Sequence, residues 1–189
     1  MKTRNYLLAI MMIIPGTIVF AQKVELNAKS SSIEWVGKKV ASQHNGNLQF
    51  KSGSFELKDD QILAGNFVVD MSTITNSDIE NEGRNQRLVG HLKSDDFFGV
   101  DTYPEATFVI NTSTKFSNGK AELSGDITIK GKTEPITFEV IKSGDTFSAK
   151  LDIDRSKFDV RFGSDSFFDN LGDNAINDLF TLNIIVEVM

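Results

Sequence analysis

Apolar and polar residues alternate with a period of two along most of the chain. In the stretch from Leu63 to Met71, Leu63, Gly65, Phe67, Val69 and Met71 share one face. Ala121, Leu123, Ile127 and Ile129 alternate with Glu122, Ser124, Asp126 and Thr128, and Phe147, Ala149, Leu151 and Ile153 with Ser148, Lys150, Asp152 and Asp154. The C-terminal run sets Phe180, Leu182, Ile184, Val186 and Val188 against Thr181, Asn183 and Glu187. Successive side chains of a β-strand point to opposite faces, so each run marks a strand with one dry and one wet side. The pattern predicts eight strands, over residues 32–41, 44–57, 62–71, 105–111, 120–130, 133–142, 146–154 and 179–188. Turn chemistry separates them at Asp59-Asp60, Asn118-Gly119, Lys130-Gly131-Lys132 and Ser143-Gly144-Asp145. The expected fold is all-β: an eight-stranded antiparallel barrel, whose interior is either filled by side chains or holds one slender ligand.

Two connections are long, residues 72–104 and 155–178, and the first carries a short helix near Arg84 to Leu92, with Leu88 and Leu92 on one face. Connections of an up-and-down barrel alternate between its ends. Both long loops therefore fall at one end, the door, and the tight turns near Asp59, Asn118 and Gly144 fall at the other. The inward set, and so the candidate lumen contacts of a ligand, is Trp35, Phe50, Phe55, Phe67, Val69, Phe108, Leu123, Ile127, Phe138, Leu151, Phe180 and Leu182. Trp35 reads either as a ligand platform or as a plug at the barrel bottom. The pair Phe97-Phe98 reads as the hinge of a lid or as an anchor under the rim.

The first residues set the expected address. Lys2 and Arg4 precede the apolar run Leu7 to Ile14, Pro15 and Gly16 break it, and Val19-Phe20-Ala21 offers small residues where a signal peptidase reads. The run is shorter than the ~20 residues a membrane-spanning helix needs. A cleavable signal peptide over residues 1–21, a mature domain over 22–189 and a periplasmic or secreted protein without a stable membrane anchor are expected. The chain has no cysteine, so neither lipoprotein acylation nor disulfides are available. Its net charge is −6, and losing a leader that contains Lys2, Arg4 and no acid makes it more negative. That argues against nucleic acid as a partner.

The chemistry of an enzyme is hard to find. The two histidines, His44 and His91, belong to no metal-binding spacing, and there is no G-x-S-x-G elbow, no G-x-G-x-x-G and no phosphate loop. No metal, cofactor or catalytic residue is expected. His91 could act at a barrel mouth, as a base or a ligand contact, though such a residue more often caps a loop by hydrogen bonding.

The stretch Leu92 to Phe108 (LKSDDFFGVDTYPEATF) closely resembles the signature of the YceI-like, polyisoprenoid-binding family. Further matches follow in order: Ser32 to Trp35, His44 to Gly46, Ser52 to Phe55, Val69 to Ile74, Leu123 to Lys132 and Ile153 to Phe158. The resemblance covers nearly the whole mature chain. It implies a lipocalin-like barrel, export, and a long apolar pore for an isoprenoid chain or a similar apolar small molecule. Arg155 resembles a family-typical position at a strand end, where it either contacts a ligand headgroup or pins the long loop through an ion pair. Residues 161–178, with Phe167-Phe168, depart from the family pattern. Two function classes stand: a hollow barrel carrying a polyisoprenoid-type lipid, and a filled barrel acting through its surface as an envelope interaction module.

Overall fold

The computed structural model describes residues 21–189; the expected signal peptide, apart from Ala21, lies outside them. Nine strands and one α-helix follow in the order β1 (Gln22–Glu25), β2 (Ser32–Lys39), β3 (Gln43–Lys58), β4 (Gln61–Asp70), α1 (Glu82–Lys93), β5 (Glu105–Ser113), β6 (Lys120–Ile129), β7 (Lys132–Ser143), β8 (Thr146–Asp154) and β9 (Ile176–Glu187). Each strand from β2 to β9 pairs antiparallel with the next, and β2 pairs with β9, so eight strands close into an up-and-down barrel. β1 is an addition. It pairs with the far half of β3, Val24 opposite Phe55, where β2 no longer reaches. The Lys23-Val24-Glu25-Leu26 alternation that marks it is too short to stand out in the sequence.

The two ends differ as the alternation of connections requires. The tight end carries left-handed residues at Asp59, Asp60, Asn118 and Gly144. Phe116 of the β5–β6 connection lies 6.0 Å from Phe147 with Lys142 above its ring, and Leu26 is buried and bridged to Val188. At the other end Lys130, in the β6–β7 turn, donates to the Asp95 and Asp159 carbonyls. One ammonium thus ties the connection after α1 to the β8–β9 loop.

The wall is uneven in one place. β7 and β8 pair only from Val140–Ser143 to Thr146–Ala149. Beyond that, the outer half of β7 is held by β6 alone and the outer half of β8 by β9 alone. A second gap, beside the first half of β3, is filled by the loop after β4. Thr75 N–H donates to the Asn47 carbonyl and Ser77 N–H to that of Asn45, while Trp35 Nε1 donates to the Thr75 carbonyl at 3.0 Å. Gly46 makes this possible, because a Cβ there would sit 1.8 Å from Thr75 O.

Asp78 closes the same loop. Its carboxylate accepts from Asn45 N–H, from the Asn76 amide and from His44 Nδ1. Burial pushes its pKa up, but these hydrogen bonds outweigh burial and leave it below the usual aspartate value. A carboxyl with a depressed folded pKa stabilises the fold at neutral pH, and the contribution is lost as pH falls through the acid range. Replacing Asp78 by Asn should therefore lower stability at pH 7 and flatten its decline below about pH 5 in urea titrations. In the same assay Gly46→Ala should cost more than about 2 kcal/mol, since backbone must move. Gly90→Ala, where a Cβ on α1 meets nothing within 4 Å, should stabilise by about 0.5–1 kcal/mol.

Candidate functional site

The barrel is hollow. A cavity of about 210 Å³ runs through its interior, an order of magnitude above the ~10–15 Å³ that admits one water. All twelve residues expected to face inward line it. Their rings interlock edge to face or tilted: Phe55 on Phe147 at 4.9 Å, Phe108 on Phe138 at 5.5 Å, Phe50 on Phe67 at 6.0 Å. The polar residues in the lining are Thr107, Ser148, Arg155 and Asn177. An apolar cavity of this kind stays dry and takes an apolar guest.

The door supplies lining that strand periodicity had no means of showing. Ile74 from the loop after β4, Leu92 from α1, and Phe97 and Phe98 from the turn that follows all face the cavity, beside Met71, which the alternation had already placed on the dry face. Phe97-Phe98 is an anchor: the rings pack on each other at 5.1 Å, and Phe98 reaches Phe180 at 6.5 Å. Trp35 is no bottom plug, since its indole is bonded to the door-end loop.

Arg155 is 2% exposed and lines the cavity at the door. Its Nε donates to the Asn177 carbonyl, one terminal nitrogen to the Val160 and Phe162 carbonyls and the other to that of Ile176. Asp178 stands 3.3 Å away as its charge partner. Burial lowers the pKa of the guanidinium, and Asp178 and Asp154 oppose that. Its donors are spent on the loop they hold.

His91 does not cap a loop through Nε2, which is buried without a hydrogen-bond partner. The ring sits between Phe97 at 5.7 Å and Phe162 at 4.4 Å, both edge-on. It packs α1 against the β8–β9 loop, one ring removed from the cavity. Among the described residues no group of three His, Cys, Asp or Glu is placed to hold a metal, and no helix is long and apolar enough to cross a membrane.

The sequence profile of the YceI-like domain matches residues 25–188, the whole barrel. The chain belongs to the YceI-like family. A UPF0312 protein of Vibrio parahaemolyticus is 32% identical over 96 residues, 50% of this chain and 47% of that protein. Protein YceI of Shigella flexneri is 42% identical over 57 residues, 29% of each chain. The matched segments thus span half or less of these curated relatives. Among solved structures, Burkholderia cenocepacia BcnA superposes with a TM-score of 0.69 at 21% identity, over 85% of this chain and 98% of that one. A polyisoprenoid binding domain from Saccharophagus degradans gives 0.59 at 16% identity, over 88% and 98%. At these identities the likeness speaks to the fold, a closed YceI-like barrel.

Two of the YceI-like motifs perform the same task. Asp70 ends β4 and accepts from Ser72 N–H and Oγ at 2.9 and 2.6 Å; Asp154 ends β8 and accepts from Ser156 N–H and Oγ at 3.0 and 2.6 Å. Each Asp-x-Ser caps a 3₁₀ turn and leaves its middle residue, Met71 or Arg155, buried. Both long loops leave the barrel through this device. Substituting Arg155 by Met would strand four carbonyls and Asp178, and should cost about 3 kcal/mol or more in urea denaturation. Lys should not restore it, because three donors on a flexible stem do not reproduce the fork. Leu123→Asp, which places a charge in the dry lumen, should lose several kcal/mol by the same measurement.

Proposed function

We propose that this YceI-like barrel binds and carries a slender apolar molecule of polyisoprenoid type with a small uncharged head, and that it does so in the periplasm or as a secreted protein after removal of residues 1–21. The observation that carries the reading is the hollow apolar lumen, with the single cation in its lining already saturated by backbone carbonyls. Each methylene taken out of water contributes ~0.8 kcal/mol, so an extended chain binds tightly in such a tube without specific contacts. A pyrophosphate drawn into the lumen would lose its hydration, and the guanidinium in the lining has its donors on backbone carbonyls. The lining is almost wholly apolar, so it favours a ligand whose polar head is small. That the Saccharophagus degradans neighbour is described as polyisoprenoid binding supports the same ligand class.

The cavity is smaller than the ~300–1,000 Å³ common for drug-sized ligands. A long chain therefore enters as door rings such as Phe98 and Phe180 rotate aside. The filled-barrel reading has the hollow lumen against it.

Native mass spectrometry of protein purified from its own cells should show a polypeptide beginning at Gln22 together with an added mass of lipid size; a bare polypeptide after gentle purification would count against the carrier. In fluorescence titrations a prenyl alcohol should bind at least tenfold, about 1.4 kcal/mol, more tightly than the matching pyrophosphate. The reverse order, with the preference erased in Arg155→Ala, would assign Arg155 to a charged head instead.

A further inference from the structure

The β8–β9 loop, where the chain departs from the family pattern, leaves large apolar side chains in water. Phe162, Phe167 and Phe168 are 45%, 39% and 49% exposed. Two neighbours join them. Val40, in the β2–β3 turn, is 70% exposed, and Leu179, on the outer face of β9, is 48% exposed. Register places them side by side, since Lys39 pairs with Ile176, and Val40 shares a surface groove with Asp165 and Ala175–Asp178. The loop is held in this position. Ser164 is fully buried, and its carbonyl accepts from the N–H groups of Phe167 and Phe168; Ser166 Oγ donates to Asp178 at 2.6 Å. Arg155 fixes the Phe162 carbonyl from beneath. Exposed apolar residues elsewhere, such as Leu63 and Val109, stand singly on the wall and carry no such meaning. A clustered patch at the rim of a ligand cavity marks an interaction surface.

The position of the patch and its charges name the partner. The ligand class proposed above has almost no concentration in water, so it must be exchanged where it is dissolved, and the end of the barrel that holds the door must reach that phase. The patch is at that end. Lys39 and Asp165 share the groove with Val40, and Asp169 follows Phe168 directly in the chain, so the rim presents no single sign of charge. Arg161 lies over the Phe167 ring at 5.0 Å, its charge outward and its stem on an aromatic, a pairing suited to a lipid interface. We propose that the door end docks on an uncharged, zwitterionic lipid bilayer, with Phe167 and Phe168 entering the boundary between headgroups and acyl chains. The inference rests on the carrier reading and adds where the ligand is exchanged.

Flotation of the processed protein with phosphatidylcholine–phosphatidylethanolamine vesicles tests it. The protein should float with these vesicles, no more so when phosphatidylglycerol is added, and equally at about 0.5 M salt, because apolar insertion is not screened. Phe167→Ser with Phe168→Ser should weaken partitioning on the order of tenfold while leaving the melting curve and farnesol binding unchanged. The indole introduced by Phe168→Trp should be quenched by brominated lipid. The proposal is overturned by a wild type that stays at the bottom, by equal flotation of the double variant, by an unquenched indole, or by binding that needs anionic lipid and vanishes in salt. A concentration-dependent dimer abolished by the same substitutions, without flotation, would assign the patch to a second copy and overturn it too. Flotation without farnesol binding would remove the carrier reading and leave the docking; farnesol binding without flotation would do the opposite.

Discussion

A guanidinium buried in an apolar barrel is unstable unless every donor finds a partner, and the arrangement of the door follows from how Arg155 meets that demand. Four carbonyls surround it, two from residues 160–162 and two from 176–177. They belong to the two ends of the long β8–β9 loop, which Arg155 therefore draws together over the barrel end. Once the loop is drawn in, Phe162 lies against His91 and the His91 ring against Phe97. The position of α1, and of the Phe97-Phe98 anchor behind it, thus traces back to one charge. The same saturation leaves the cation of the cavity lining with no donor to spare. In this reading specificity for an uncharged head is a by-product of how the loop is held.

The other loop is set by the absence of a side chain. β4 leaves β3 before β3 ends, and the unpaired edge would be exposed if residues 74–78 did not lie along it. They can approach only because Gly46 has no Cβ, and Trp35 and Asp78 then fix them from either side. One loop is anchored by a charge inside the barrel, the other by a glycine in its wall. Lys130 joins the two across the top. By comparison β7 and β8 are joined over only four positions, Val140–Ser143 opposite Thr146–Ala149.

Much of this was legible in the sequence wherever a regular period carried it. Leu123, Leu151 and Leu182 alternate with charged or polar neighbours, and all twelve candidate lumen contacts line the cavity; Leu63, set on the same face by that alternation, is exposed and Ile62 faces in instead, because the β3–β4 register is irregular beside it. The count of connections placed both long loops at one end for the same reason. What escaped was whatever depends on a single close approach. The four residues of β1 give too short a period. Val160 and Ser164, both fully buried, sit in a loop where neighbouring polar residues signal exposure. Arg155 was readable as a loop pin, but its carbonyl partners were not, because backbone acceptors leave no trace in composition. Nor could inward phenylalanines distinguish a filled barrel from a hollow one, since the side chains are the same and only their spacing differs.

The hollow itself has an energetic consequence. Unfilled volume in a core costs on the order of 24 cal/mol per Å³, so an empty cavity of about 210 Å³ gives up roughly 5 kcal/mol, as much as the whole stability of many domains. A single domain without disulfides does not keep such a space by neglect, because a few larger side chains would close it. The deep half of the lumen is already tightly ringed by Phe55, Phe116 and Phe147, which shows that this sequence can fill space where it needs to. A guest in that space would recover part of the lost packing and stabilise the fold by mass action. In the carrier reading the ligand acts as the missing part of the core, and the barrel is most stable when loaded.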